Sequence, residues 1–300
     1  MINWNNLDTL TSFKELSEVE RVNLAEVMSG ENGAERVKDY SVPMTEDLTY
    51  NYAAKAVDDK VLAALAKLAK EAQLTEKYAA LYNGEVINTG EKRLVLHQLT
   101  RGQLGDKVEA DGVDKREFYV KQQQRIADFA NKVHAGEITN AAGEKFTTVV
   151  QIGIGGSDLG PRAMYLALEN WAKKNGTFKM EAKFISNVDP DDAAAVLNSI
   201  DVAHSIFVLV SKSGTTLETL TNESFVKDAL KNAGLDASKH MIAVTSETSP
   251  LAKSDDYLAA FFMMIISEDV THLLQQSVVP YFRWHLDRKY LHSSLQEQQR

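Results

Sequence analysis

The feature that most constrains the fold is a regular alternation of short β-branched runs with helical segments after Gly143. Strands are predicted at Thr147 to Ile154, Lys183 to Val188, Ser205 to Val210 and Met241 to Thr245. Helices are predicted at Pro161 to Lys173, Asp191 to Asn198 and Thr219 to Ala233. Strands that alternate with helices form a parallel sheet covered on both faces. We therefore predict an α/β fold with a doubly wound, mainly parallel sheet.

The segment before this alternation has a helical pattern. Apolar residues recur at spacings of three and four in Val57 to Leu68, and again in Phe118 to Val133. We expect a helical N-terminal region at 1–117, an α/β domain at 118–262 and a separate tail at 263–300.

Composition narrows the class of protein. The chain has no cysteine, which excludes disulfides and thiolate metal sites and fits a reducing compartment. Its net charge of -9 is spread among mixed acidic and basic residues, which argues against a nucleic-acid surface. The beginning of the sequence lacks a secretory signal pattern, and the longest apolar run, Leu258 to Ile266, is about half of the ~20 residues that a membrane span needs. We expect a cytoplasmic protein.

A glycine-rich loop, Gly153 to Pro161 (GIGGSDLGP), joins the first predicted strand to a helix. Glycines let the backbone approach an anion, and the N-terminus of the following helix offers unpaired N–H groups. A dinucleotide fingerprint would place its third glycine at position 158, which is Asp158. The alternative interpretation is a tight turn with Ser157 or Asp158 as helix cap.

A second polar loop, Ser211 to Thr216 (SKSGTT), follows the third predicted strand and is called the cradle loop below. It supplies hydroxyl and amine groups around one glycine, with no acidic group until Glu218. This chemistry suits a phosphate site without metal. The spacing of a Walker loop is absent. The alternative is a serine- and threonine-rich turn that only caps a helix.

Other polar residues give weaker signals. The histidines His97, His134, His204 and His240 lie in separate predicted elements without the spacing of metal ligands. Ser157 has no histidine at a spacing that would support a hydrolase triad. Surface or core roles are therefore expected for them.

Taken together, VVQIGIGGSDLGP and VLVSKSGTTLETLTN resemble the glucose-6-phosphate isomerase family, as do RLVLHQLTR, ISNVDPDD and VTSETSPLAK. The resemblance implies two sugar-isomerase domains, of which this chain carries the first, and homodimers of the full-length protein. It also implies interconversion of glucose 6-phosphate and fructose 6-phosphate without a cofactor or metal. By this resemblance Ser211, Ser213 and Thr216 hold the sugar phosphate, and Gly156 and Ser157 contact the sugar.

The resemblance also implies which catalytic parts this chain lacks. The family reaction uses a carboxylate base, an acid that opens the ring and a cation near the enediolate oxygen. Family members carry the cation in a GGRYS segment, followed by the base, a histidine and a lysine. None of these has a matching position here, so we expect the chain as written to be inactive.

The tail departs abruptly from the family pattern after Phe262. The family pattern reads FFMDDYIGGRYSSTSAVGG, whereas this chain reads FFMMIISEDVTHLLQQSVV. One choice of codons for residues 263 to 279 yields MDDYIGGRYSSTSAVGG when a single nucleotide follows the first codon. We therefore expect residues 264 to 300 to be an out-of-frame translation.

Three interpretations follow from the sequence: an isomerase represented by a damaged fragment, a sugar-phosphate-binding module without catalysis, and a nucleotide-binding α/β protein. The first predicts family sequence in the shifted frame, which the second does not. The third requires the glycine that is missing at position 158.

Overall fold

A computed structural model describes residues 2–29, 32–90, 92–96, 98–99, 107–110 and 112–263. These residues form two compact units, one ending at Ile87 and the other beginning at Asn88. His97 and the tail from 264 onward lie outside the described residues.

The first unit is mainly helical, as predicted. Its helices are α1 (Thr11–Glu18), α2 (Leu24–Val27), α3 (Asn32–Asp39), α4 (Asp59–Glu71) and α5 (Leu74–Tyr82). The predicted helix at Val57 to Leu68 corresponds to α4, which begins where the Asp58 side chain accepts a hydrogen bond from the Val61 N–H at 2.8 Å. A small antiparallel hairpin of β1 (Ser41–Pro43) and β2 (Thr49–Asn51) was not predicted, because three-residue strands are too short to show a period.

The second unit contains the parallel sheet. After a short hairpin, its elements alternate in the order β3 (Glu109–Ala110), β4 (Val113–Asp114), α6 (Lys115–Ala135), β5 (Thr148–Ile152), α7 (Gly156–Lys174), β6 (Glu181–Ile185), α8 (Pro190–Asn198), β7 (Ser205–Val210), α9 (Leu217–Asn232), β8 (Met241–Thr245) and β9 (Ala259–Phe262). The five-stranded sheet has the order β6-β5-β7-β8-β9, and every neighbouring pair is parallel. The predicted fold class is confirmed.

Helices cover both faces of this sheet. Ile126 of α6 and Tyr165 of α7 pack with Val149 and other residues of one face. Val226 of α9 packs with Val150 and its neighbours on the opposite face, together with α8. Every residue of β5, β7 and β8 is buried, which explains their nearly continuous apolar sequences.

Three departures from the predicted elements are larger than a shift of one to three residues at an end or affect the site. Helix α7 begins at Gly156 rather than at Pro161, because the end of the glycine loop is already helical and the proline lies inside the helix. The predicted strand at Lys183 to Val188 begins two residues and ends three residues earlier, at Glu181–Ile185. Strand β9 was not predicted, since Leu258 to Ile266 looked like an undifferentiated apolar run. Within the described residues, no helix has both the length and the apolar character needed to cross a membrane.

Candidate functional site

The candidate residues lie at the carboxyl edge of the sheet. Gly156 and Ser157 follow β5, whereas the cradle loop follows β7. These two strands are parallel neighbours, with Ile152 opposite Leu209, so both loops emerge at the same edge. Doubly wound sheets bind ligands at this edge. The structure therefore brings the two sequence motifs to the place where such folds bind ligands.

The cradle loop is closed by its own hydroxyl groups. The buried Ser211 Oγ accepts a hydrogen bond from the Gly214 N–H at 3.1 Å and lies 3.1 Å from the Thr216 Oγ1. The Ser213 Oγ accepts hydrogen bonds from the Thr215 N–H at 3.2 Å and from the Thr215 hydroxyl at 3.0 Å. Ser213 and Thr215 are exposed, and Thr216 is half-buried. The hydroxyl of Ser213 consequently keeps its own proton available at the surface of the loop.

The neighbouring strand fixes the start of the cradle loop. The Ser211 N–H donates to the Val244 carbonyl at 3.0 Å, and the Ser211 carbonyl accepts from the Thr245 hydroxyl at 2.7 Å. The Ser246 N–H donates to the Lys212 carbonyl at 3.1 Å. These bonds extend the pairing of β7 with β8 beyond the strands, so the loop leaves the sheet in a defined direction.

Gly214 is required by the geometry of the turn. Its φ of +69° lies in the left-handed region, which side chains other than glycine rarely adopt. A Cβ atom at this position would also overlap the Ser249 side chain and lie 3.1 Å from the Leu251 Cγ. The cradle loop is therefore packed against the segment that follows β8.

Helix α9 begins at the cradle loop without a side-chain cap. Thr216 is its N-cap residue, yet its side chain accepts no hydrogen bond from the first turn and lies instead beside Ser211. Gly155 precedes α7 and has no side chain to offer. By contrast, Asp189 caps α8 by accepting from two backbone N–H groups. The capping alternative for the cradle loop thus lacks the hydrogen bond that would define it, and the first-turn N–H groups remain available to an anion.

The glycine loop is tightly folded at Gly153. A Cβ atom there would lie 2.9 Å from the Ser157 carbonyl oxygen and 3.1 Å from the Ser157 Cβ. Gly155 has a φ of +59° and accepts a hydrogen bond from the Asp158 N–H at 3.0 Å. These two glycines let the chain turn from β5 into α7 over three residues.

Gln151 supports this turn from inside the sheet. Pro161 lies within α7 and has no N–H to donate to the carbonyl four residues earlier, which is that of Ser157. The fully buried Gln151 supplies the missing donor, because its Nε2 donates to the Ser157 carbonyl at 2.9 Å. Gln151 is the one polar residue of β5 after Thr148, and its side chain sets the position of Ser157.

An ion pair between the buried Asp158 and the half-buried Arg162 links the first two turns of α7. Arg162 donates to Asp158 Oδ1 from Nε at 3.2 Å and from Nη2 at 3.0 Å. Its Nη2 also donates to the Ser186 hydroxyl at 2.7 Å, beyond the end of β6. Burial raises the pKa of Asp158, and the guanidinium of Arg162 opposes that shift. The residue that breaks the dinucleotide fingerprint is thus a structural anchor between two loops.

The histidines of the described residues do not join this edge. His204 precedes β7 and contacts Asp201 and Glu144, and the buried His240 precedes β8 and lies 2.9 Å from the Ser205 carbonyl. His134 belongs to α6. Among the described residues, no group of acidic, histidine or cysteine side chains could hold a metal ion. A depression of about 600 Å³ beside His134 is lined by charges of both signs, including Asp128 and Lys132.

Comparison with known proteins identifies the family. The sequence pattern of the family described as Phosphoglucose isomerase matches residues 51–256. The chain belongs to the phosphoglucose isomerase family. A glucose-6-phosphate isomerase from Treponema denticola is 58% identical over 265 residues, covering 87% of this chain and 50% of that protein. One from Borreliella afzelii is 44% identical over 267 residues, covering 88% and 50%.

The solved structures agree with this assignment. The crystal structure of a glucose-6-phosphate isomerase from Chlamydia trachomatis matches with a TM-score of 0.79 and 32% sequence identity. That match covers 97% of this chain and 55% of the other. The chain therefore spans about half the length of the phosphoglucose isomerase relatives it matches.

Sequence reasoning missed several residues that shape this candidate site. Thr245 ends β8 and Ser246 and Ser249 follow it, and Thr245 already lies 34 positions after Ser211. Gln151 carried a usable signal, since a lone amide interrupts an apolar strand. Asp158 was noted as a missing glycine and as an alternative helix cap, although a carboxylate four residues before an arginine on a helix predicts an ion pair.

Proposed function

We propose that this chain is the N-terminal half of an aldose–ketose isomerase that interconverts glucose 6-phosphate and fructose 6-phosphate. Within that enzyme, its part is to hold the phosphate of the sugar. One observation carries the proposal: the uncapped N-terminus of α9 opens onto a hydroxyl-rich loop at the carboxyl edge of the sheet. Family membership supports the choice of a sugar phosphate as the anion.

The phosphate is held by neutral donors and a helix terminus. The hydroxyls of Ser211, Ser213 and Thr216 and the first N–H groups of α9 supply hydrogen bonds, and the helix dipole favours negative charge. Lys212 adds attraction at longer range. Gly156 and Ser157, at the start of α7, contact the sugar. No metal or cofactor is required, because phosphate binding of this kind needs donors alone.

Catalysis needs groups that this chain does not supply at the carboxyl edge of the sheet. Moving a proton between C2 and C1 through a cis-enediolate requires a carboxylate base and a cation that stabilises the developing negative charge. The described histidines lie away from the carboxyl edge, and the family's GGRYS segment, base, histidine and lysine have no matching positions in the sequence. The chain as written is inactive.

A shifted reading frame explains the missing groups. A single nucleotide restored after the codon for Met263 returns the family pattern. The alignment with the Treponema denticola relative leaves a part of this chain uncovered. That part is close in size to residues 264 to 300. The full-length product then has the helical region 1–117, the first sugar-isomerase domain 118–262 and a second such domain. It acts as a cytoplasmic homodimer.

A sugar-phosphate-binding module without catalysis is the second candidate. The hydroxyl-rich cradle loop at the carboxyl edge of the sheet favours it over a nucleotide-binding protein. The nucleotide interpretation would need Asp158 to give way to a ligand, whereas Asp158 is buried and paired with Arg162.

The test compares two purified proteins in an isomerase assay with glucose 6-phosphate. The 300-residue chain shows no turnover above background, and the product of the frame-restored gene shows turnover typical of enzymes. Measurable turnover by the 300-residue chain would mean that the catalytic groups lie within it. An inactive but folded frame-restored protein that still binds glucose 6-phosphate would favour the non-catalytic module.

A further inference from the structure

Thr245 lies where the cradle loop leaves the sheet. It is the last residue of β8, one position beyond the last pair between β7 and β8, which joins Val210 to Val244. Thr245 is fully buried, and its Oγ1 donates to the Ser211 carbonyl at 2.7 Å. The hydroxyl of Thr245 therefore serves the backbone of the cradle loop and does not face a ligand.

The Thr245 hydroxyl replaces a bond of the regular parallel ladder. In such a ladder a residue bonds through its N–H and its carbonyl to the residues just before and just after the one opposite. The Ser211 N–H donates to the Val244 carbonyl at 3.0 Å, so regular pairing would bring the Ser246 N–H to the Ser211 carbonyl. That N–H instead donates to the Lys212 carbonyl at 3.1 Å. The hydroxyl consequently supplies the donor that the Ser211 carbonyl loses when the chain turns out of the sheet.

Ser211 passes this support on to the rest of the cradle loop. It is a buried residue, and its Oγ accepts from the Gly214 N–H at 3.1 Å and lies 3.1 Å from the Thr216 Oγ1. A serine side chain has one torsion angle between its backbone and its oxygen, so a displaced backbone carries the hydroxyl with it. The position of the Ser211 carbonyl therefore determines where Ser211 and Thr216 present their hydroxyl groups.

We propose that Thr245 is a positioning residue of the phosphate site and acts through the Ser211 carbonyl. This inference rests on the proposed function. Without the Thr245 hydroxyl, either the Ser211 carbonyl is buried with no donor, which is unfavourable, or the Ser246 N–H returns to it and releases Lys212. Both outcomes displace the cradle loop relative to the start of α9, and the phosphate loses at least one of its donors.

Binding of glucose 6-phosphate to the 300-residue chain, measured by isothermal titration calorimetry, compares three variants. Thr245→Val removes the hydroxyl and keeps the shape of the side chain, whereas Thr245→Ser keeps the hydroxyl. Ser205→Ala is the matched control, because the fully buried Ser205 hydroxyl donates to the Asp201 carbonyl at 2.6 Å, at the opposite end of β7. We expect Thr245→Val to bind about tenfold more weakly, which corresponds to the loss of one hydrogen bond to a charged group. Thr245→Ser and Ser205→Ala should bind like the parent chain.

Kinetics of the frame-restored enzyme separate positioning from a general loss of structure. The phosphate is held alike in the substrate and in the transition state, so Thr245→Val should raise the KM about tenfold and leave kcat unchanged. A double-mutant cycle with Ser211→Ala tests the route. In that background Thr245→Val should cause a clearly smaller further rise in KM, because the Ser211 hydroxyl is already absent.

Amide hydrogen exchange followed by NMR reports on the cradle loop without any ligand. The Gly214 N–H is bonded to the Ser211 Oγ, so in Thr245→Val it should exchange about tenfold faster relative to the Val208 N–H in the middle of β7. This ratio should stay the same in Thr245→Ser and Ser205→Ala. A parent chain that binds no glucose 6-phosphate, while Thr245→Val changes the ratio as expected, refutes the proposed function alone.

Four results would each overturn the positioning role. Thr245→Val could bind as tightly as the parent chain, or leave the exchange of Gly214 unchanged. Ser205→Ala could lose as much affinity as Thr245→Val, which would make lower stability the cause. Thr245→Ser could lose as much as Thr245→Val, which would exclude the hydroxyl. Additive effects in the cycle with Ser211→Ala would exclude the route through Ser211. If Thr245→Val does not fold, Thr245→Ala replaces it in every comparison, because it removes the hydroxyl and places no methyl group against the Ser211 carbonyl.

Discussion

The support of Ser157 by Gln151 leads to a quantitative prediction about the fold. In Gln151→Leu, the carbonyl of Ser157 loses the side-chain donor that lies 2.9 Å away, and Pro161 has no N–H to replace it. A buried acceptor left without a donor costs about 1 to 3 kcal/mol. The Gln151 Oε1 makes no hydrogen bond among the described residues, so its removal offsets part of that cost. We expect a net loss of about 1 to 2 kcal/mol of unfolding free energy.

A double-mutant cycle with Pro161→Ala isolates this hydrogen bond. The alanine N–H can donate to the Ser157 carbonyl within α7, so the cost of Gln151→Leu should be smaller in the Pro161→Ala background. We expect an interaction energy of about 1 kcal/mol in favour of the double variant. Pro161→Ala alone loses a few tenths of a kcal/mol up to about 1 kcal/mol, because the unfolded chain becomes more flexible.

Urea denaturation followed by circular dichroism measures the four free energies of unfolding. The slope with denaturant should be the same for all four proteins, since none exposes new surface on unfolding. If the effects of Gln151→Leu and Pro161→Ala on the free energy of unfolding add within about 0.3 kcal/mol, Gln151 does not replace the N–H that Pro161 lacks. A Gln151→Leu variant as stable as the parent chain would lead to the same conclusion.

Two further variants test the turn and the surface electrostatics. Gly214→Ala should lower the free energy of unfolding by about 1 to 2 kcal/mol because of its φ alone, and by more because the new Cβ overlaps Ser249. Gly143→Ala is the control, since Gly143 has a φ of +80° and nothing within 4 Å of an added Cβ, so it should show only the first cost. Equal losses of the two variants in urea denaturation would contradict the packing of the cradle loop. The hydrogen bond to Asp201 raises the pKa of His204. The contribution of this pair to the free energy of unfolding is therefore complete below about pH 6.5 and is lost as the pH rises through the raised pKa. The stability difference between the chain and His204→Gln should therefore narrow as the pH rises above about 6.5, and a difference that stays constant would exclude this pair.

The sequence predicted those parts of the fold that local patterns determine. The bounds of β7 and β8 matched their prediction, because both strands are wholly buried apolar runs that end at polar residues. The start of α7 was misplaced because proline favours the first turn of a helix, while here Gln151 makes an interior proline tolerable. Strand β9 was missed because four apolar residues carry no period.

The two candidate loops could be found from the sequence, whereas the residues that support them could not. The two motifs were found from glycines and hydroxyls that stand together in the sequence. Their supports come from distant segments: Thr245 bonds to Ser211 across 34 positions, and Ser249 packs on Gly214. Such pairs leave no local pattern, since only the parallel order of the sheet brings them together. The uncapped start of α9 likewise becomes visible only when the direction of the Thr216 hydroxyl is known.

The most direct test of the central claim is the binding of glucose 6-phosphate to the 300-residue chain, measured by isothermal titration calorimetry. Ser213→Ala with Thr216→Ala removes two hydroxyls from the cradle loop, each worth about 1.5 to 3 kcal/mol when it donates to a charged group. Thr221→Ala with Ser224→Ala removes two exposed hydroxyls from α9 as the matched control. We predict that the cradle variant binds glucose 6-phosphate at least tenfold more weakly, that the control binds it unchanged, and that glucose does not bind. In the frame-restored enzyme, the same two cradle substitutions should raise the KM at least tenfold. Unchanged affinity in the cradle variant would contradict the account and would move the phosphate site to Gly155 to Ser157.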